Sequence, residues 1–148
     1  MNTNSAVIKS YGGLKALAKK QALSFASGKS SCVGLIGPLG VGKTAFVKEV
    51  ARFWGCSEAV TSPTFTLMHH YTTKNGKTLL HIDLYRINSR DKETIAMILD
   101  AIIEADFTLI EWVDRVPQLK RQCDTVYDMR FGADGASRLI RIIGKEKK

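Results

Sequence analysis

The chain has 148 residues, 45% hydrophobic and 24% charged, which suits one globular domain with a single core. Its apolar runs fall far short of the roughly 18–20 residues that cross a bilayer, and Met1–Ser5 lacks the basic-then-apolar pattern of a signal peptide, so no membrane association and a cytoplasmic location are expected. The net charge of +8 sits at the ends, with five lysines and no acid in residues 1–29 and five basic residues against one acid in 138–148, which excludes a uniformly basic binding face.

The basic ends, 1–8 and 144–148, are expected to be flexible parts of the one domain, 1–148. Their charge reads either as solvated surface or as a contact to RNA phosphates or an acidic partner. Cys32, Cys56 and Cys123 are widely spaced and form no Cys-x-x-Cys pair. They suit a reducing compartment better than a disulfide framework or a zinc site.

In chain order, apolar Leu14, Leu17, Ala18 and Ala22 recur at three- and four-residue steps and predict an amphipathic helix from Gly12 to about Ala26, ended by Gly28. Cys32–Ile36 is a short apolar run suited to a buried strand. A glycine-rich loop follows, then a helix from Ala45 to Trp54 with Phe46, Val47, Val50 and Phe53 on its apolar face, closed by Gly55. Thr64–Thr72 and Thr78–Leu84 read as strands joined through Lys74-Asn75-Gly76-Lys77. Asn-Gly there predicts a type I′ hairpin turn. His69 and His70 on this strand point to opposite faces and carry no metal-ligand spacing. Asp91–Ile103 reads as a helix with a break near Asp100, and Phe107–Ile110 as a buried strand ending on Glu111. A closing hairpin of Asp124–Phe131 and Arg138–Ile143 completes the pattern. The expected fold is a single α/β domain of P-loop NTPase type, with a mixed, mainly parallel sheet flanked by helices and supplemented by antiparallel hairpins.

Gly37-Pro38-Leu39-Gly40-Val41-Gly42-Lys43-Thr44 satisfies the pattern G-x-x-x-x-G-K-[ST] in full. Its glycines free the backbone to turn its N–H groups toward phosphates, and the helix that follows adds a positive dipole end. Lys43 is expected to reach the β- and γ-phosphates of ATP, and Thr44 to place its hydroxyl on Mg²⁺. Ala45 completes the nucleotide-binding run. The pattern could arise by chance in a glycine-rich turn, but the apolar strand before it and the amphipathic helix after it weigh against that. Such a site also needs an acid for the metal and a group to position water. Glu111 ends an apolar strand, where a metal-binding acid would sit or where a surface glutamate would do. Asp83 alternates with Ile82 and Leu84 and so lies on the polar face of its strand. Thr64, after Ser62-Pro63, is a loop hydroxyl placed to sense a γ-phosphate or merely to close a turn.

Taken together, the glycine loop, Val60-Thr61-Ser62-Pro63-Thr64-Phe65-Thr66-Leu67, His81-Ile82-Asp83-Leu84-Tyr85-Arg86 and Leu109-Ile110-Glu111-Trp112 resemble the TsaE (YjeE) family, in order and at suitable spacing from about Leu35 to Arg115. The resemblance implies an ATPase required for N6-threonylcarbamoyladenosine at position 37 of tRNA, acting on TsaB and TsaD, the latter being the transferase. It implies that Lys43 and Thr44 hold phosphate and Mg²⁺ and that Thr64 is a switch-like threonine. Asp83 and Glu111 become the two acids at the water and metal, either one the direct Mg²⁺ ligand, and Trp112 stands beside the nucleotide. Pro38 and Val41 depart from the family's usual acid and alanine in the loop, and Val113-Asp114 from its usual Pro-Glu. A small-molecule P-loop kinase is the alternative, although about a dozen residues between Glu111 and the closing hairpin are few for an arginine-bearing lid. A module that only binds nucleotide is a third possibility, weighed against by the intact Lys43, Thr44, Asp83 and Glu111.

Overall fold

The structure, a computed structural model, describes residues 2–29, 31–56, 58–61, 63 and 67–145. Among the described residues, seven strands form one sheet: β1 (Asn2–Ile8), β2 (Cys32–Ile36), β3 (Met68–Thr72), β4 (Thr78–Asp83), β5 (Phe107–Glu111), β6 (Thr125–Phe131) and β7 (Arg138–Gly144). Their order across the sheet is β1-β7-β6-β2-β5-β4-β3. The inner four, β6, β2, β5 and β4, run parallel. Antiparallel strands flank them, β7 and β1 on one side and β3 on the other. The mixed, mainly parallel α/β sheet with antiparallel hairpins is as expected.

Two helices cover one face. In α1 (Tyr11–Ala26), Leu14, Ala18, Ala22 and Phe25 are buried at steps of three and four. Ser10 caps its start by accepting from Gly13 N–H, and Gly28 (φ +72) ends it. There Lys29 N–H reaches Ser24 O, and Gly28 N–H reaches Phe25 O, the paired bonds of a Schellman end. Helix α2 (Lys43–Phe53) buries Phe46, Val47 and Val50 on the same core. The opposite face is covered by α3 (Lys92–Glu104), a 3₁₀ turn at Val113–Arg115, and the short α4 (Pro117–Lys120). Ile95, Ile98, Val113, Val116 and Leu119 are buried there against Ile82, Ile110 and Val126.

Gly34 shows how closely the second face is packed. A Cβ at this position would lie 2.6 Å from Val113 Cγ1 and 3.0 Å from Cys123 Sγ. The 3₁₀ turn after β5 therefore rests directly on the bare backbone of β2.

Residues 2–8 form β1, paired with β7 from Asn2↔Gly144 to Ile8↔Arg138. Gly144 belongs to β7, and Lys145 N–H bonds to Asp124 O, while residues 1 and 146–148 of the basic ends lie outside the described residues. Two local expectations change. The β3–β4 turn is not type I′, because Gly76 (φ +76) has positive φ and Asn75 does not. Gly76 N–H bonds to Thr73 O, and Thr73 N–H to Lys77 O, a three-residue loop with glycine in the left-handed bulge position. Helix α3 is unbroken through Asp100. Its start is capped by Asp91, whose carboxylate accepts from Thr94 N–H and hydroxyl.

The cysteines are all free. Cys32 and Cys123 lie buried with their sulfurs 3.7 Å apart, and the neighbouring thiol together with burial pushes the Cys32 pKa well up. No helix among the described residues is long and apolar enough to cross a membrane.

Candidate active site

The parallel strands end their carboxyl termini side by side, where open α/β sheets collect ligands. β2 runs into the glycine loop, β5 ends on Glu111, and β4 ends on Asp83, with Asp83 opposite Glu111 in register. The loop is built on backbone that side chains would obstruct. Gly37 takes φ +150, and a Cβ on it would sit 2.5 Å from the Met129 carbonyl of β6. Gly42 (φ +119) is the N-cap of α2, and its carbonyl accepts from Phe46 N–H at 2.9 Å. Gly40 (φ +78) has open space where its Cβ would be. The loop's first glycine thus serves the packing on β6, while the later ones shape the turn itself.

Thr44, in the first turn of α2, donates its hydroxyl to Glu111 Oε1 at 2.7 Å. Glu111 is buried, and its other oxygen, Oε2, lies 2.7 Å from His81 Nε2. Asp83 Oδ1 accepts from Tyr85 N–H at 2.8 Å. The expected polar face of β4 is interior: His81 is fully buried and Asp83 nearly so. These side chains share a face with Leu79 and Leu109, which belong to the core under α2. A cavity of about 320 Å³ opens above, lined by Gly40, Lys43, Thr44, Asp83, Glu111 and Trp112 among others.

Lys43 is folded back on the loop that precedes it. Its ammonium donates to Gly37 O at 2.6 Å and Pro38 O at 2.9 Å, and lies 3.9 Å from the Trp112 ring centroid. Burial pulls its pKa below the ordinary lysine value, and the charges of Glu111, Asp83 and Asp114 oppose that fall. Trp112 reaches this position through a left-handed backbone (φ 58, ψ 36). It shares positive φ with one other described non-glycine residue, Leu67, whose carbonyl accepts from Asp83 N–H. Both unusual conformations therefore adjoin the acids, a common place for backbone strain.

On the other side of the loop lies a second cavity of about 310 Å³, with Ile8, Tyr11, Leu14, Val41, Ala45 and Arg138 in its wall. Leu39, at the tip of the loop, is exposed. Thr64 falls outside the described residues. Among the described residues no three His, Cys, Asp or Glu side chains cluster to hold a metal by themselves. A cation here would need the Thr44 hydroxyl and oxygens of a substrate beside the carboxylates. Hard oxygen donors of this kind, few from protein and several from phosphate, are the set Mg²⁺ takes.

The family model for "Threonylcarbamoyl adenosine biosynthesis protein TsaE" matches residues 8–140, from the end of β1 into β7. The chain belongs to the TsaE family. It is 36% identical over 118 residues to the tRNA threonylcarbamoyladenosine biosynthesis protein TsaE of Aquifex aeolicus, covering 78% of this chain and 79% of that one. The TsaE of Treponema pallidum is likewise 36% identical over 108 residues, 72% of this chain and 78% of its own. A solved structure described as "Crystal structure of Bacillus subtilus YdiB" superposes with a TM-score of 0.67 at 24% identity, over 97% of this chain and 86% of that chain, and so shares the fold.

Two contributors to this TsaE-family site, His81 and Arg138, have no role assigned from sequence. His81 stands in a quoted motif, and only its alternation with Asp83 hinted that it shares the acid's face. Arg138 comes from the closing hairpin and donates from Nε to Val41 O at 2.8 Å, tying the loop to β7. No spacing rule links positions so far apart. Val113-Asp114, where the TsaE family usually has Pro-Glu, does not loosen the turn: Val113 is fully buried and Asp114 exposed within the 3₁₀ segment.

Proposed function

We propose that this chain binds ATP with Mg²⁺ and hydrolyses it slowly, as the accessory ATPase of N6-threonylcarbamoyladenosine formation at position 37 of tRNA, acting on TsaB and TsaD in the cytoplasm. The observation that carries this is the Thr44–Glu111 hydrogen bond of 2.7 Å beneath the glycine loop. It joins a hydroxyl and a carboxylate where a metal–phosphate unit would rest. The names carried by the relatives supply the pathway.

In this reading the phosphates lie on the loop, and the base takes the cavity walled by Ile8, Tyr11 and Leu14. Thr44 and Glu111 would hold Mg²⁺, which would supply positive charge to offset that of the phosphoryl oxygens. Lys43 exchanges the carbonyls of Gly37 and Pro38 for phosphate oxygens, its ammonium supplying positive charge where negative charge develops. Asp83, at the end of β4 beside Glu111, orients the attacking water. Trp112 closes over Lys43 and keeps bulk water from it.

A small-molecule kinase fits less well. Such an enzyme needs a mobile, arginine-bearing lid, whereas Val113, Val116 and Leu119 are fully buried in the core. These three side chains anchor the segment after Trp112 to the core.

Phosphate release by the purified chain tests this reading, alone and with TsaB and TsaD added. The expected rate alone lies far below the roughly 1–100 s⁻¹ of kinases, and it rises with the partners. A kinase-like rate in isolation, or transfer of phosphate to a metabolite, overturns it.

A further inference from the structure

We infer that His81 is a positioning residue that holds the Glu111 carboxylate in the orientation from which it serves the metal. This rests on the reading of Glu111 as an acid at Mg²⁺. The imidazole is fully buried on β4, two residues before Asp83 and therefore on the same face. Burying it costs solvation, and its one polar contact among the described residues is Glu111: Nε2 lies 2.7 Å from Oε2, while Nδ1 has no partner. Because Glu111 presents a carboxylate, Nε2 carries the proton and donates, which leaves only a lone pair on Nδ1 unmatched.

The consequence follows from the two oxygens. Glu111 Oε2 is taken by His81 and Oε1 by the Thr44 hydroxyl. With both oxygens held, rotation of the carboxylate about its last torsion is restrained, and Glu111 lines the same cavity as Thr44 and Asp83. Partners behind a ligating group commonly set metal affinity through orientation in this way. Strand β4 thus contributes twice, Asp83 at the rim and His81 beneath, the second acting only through Glu111.

The test measures affinity for a non-hydrolysable ATP analogue by calorimetry, in Mg²⁺ and in EDTA, on the full chain. Variants are His81→Leu, which removes the donor, and His81→Gln, whose amide N–H reaches about as far as Nε2. His81→Asn has the same amide one carbon shorter and serves as the donor-removing arm should the leucine variant fail to fold. The wild-type chain is expected to bind more tightly in Mg²⁺ than in EDTA. In His81→Leu or His81→Asn that gain shrinks by about tenfold or more, affinity in EDTA stays within about twofold, and His81→Gln restores the gain. An unchanged Mg²⁺ gain in the donor-removing variant overturns the inference, as does an equal loss in Mg²⁺ and EDTA, which marks a merely structural histidine. If the wild-type chain shows no Mg²⁺ gain, the reading of Glu111 falls and the inference with it.

Discussion

Lys43→Ala removes ATP binding while leaving the melting temperature close to that of the wild-type chain. The ammonium supplies the positive charge of the loop, and losing such a group from a phosphate site costs about 2.7–4 kcal/mol, roughly 100- to 1,000-fold in a binding or rate constant. The fold gives up little, because folding has taken this lysine out of water at some cost. Its pKa is lowered chiefly by burial, so the unfolded chain holds its proton more tightly than the folded one. By sign, that shift is a penalty on the folded state below the lysine's folded pKa, relieved as the pH rises through it. Calorimetric titration with ATP, beside a thermal melt, checks both halves. A variant that binds ATP as the wild-type chain does would remove Lys43 from the site.

Glu111→Ala has the opposite balance, for it damages both function and fold. Phosphate release is expected to fall about 100-fold or more, since the Thr44 hydroxyl loses its partner and, on the proposed function, Mg²⁺ would lose an acid. Stability falls as well. His81 Nε2–H then loses its one acceptor among the described residues, at a cost of about 1–3 kcal/mol. Urea unfolding read against the wild-type chain measures that loss, and phosphate release measures the other. The contrast between the two variants separates a charge held for the ligand from one built into the core.

Much of this site was legible because its signals are local. The glycine loop declares itself within eight residues. The strand before it and the amphipathic helix after it follow from hydrophobic pattern alone, and Glu111 could be placed at a strand end by the apolar run preceding it. What escaped depends on partners distant in sequence. Asn2–Ile8 begins with polar residues and becomes a strand because Arg138–Gly144 offers an open edge. The face of β4 carrying Asp83 looked polar because His81 and Asp83 are polar, yet α2 and β5 bury both. The turn at Asn75-Gly76 followed the wider loop dictated by the Thr73–Lys77 pairing rather than dipeptide preference. The 3₁₀ turn and α4 are too short for any periodicity to show. Their place is set by Gly34, whose missing side chain admits Val113. Arg138 illustrates the same limit within the site, reaching Val41 from 97 residues away along the chain.

On the proposed function, this chain uses ATP to sustain tRNA modification by its partners. The direct measurement is multiple-turnover formation of N6-threonylcarbamoyladenosine with purified TsaB, TsaD, tRNA and threonylcarbamoyl-adenylate, with and without the chain. The predicted result is sustained turnover with the wild-type chain and none beyond the first cycle without it or with Lys43→Ala. Equal modification in its absence would remove the chain from the modification cycle.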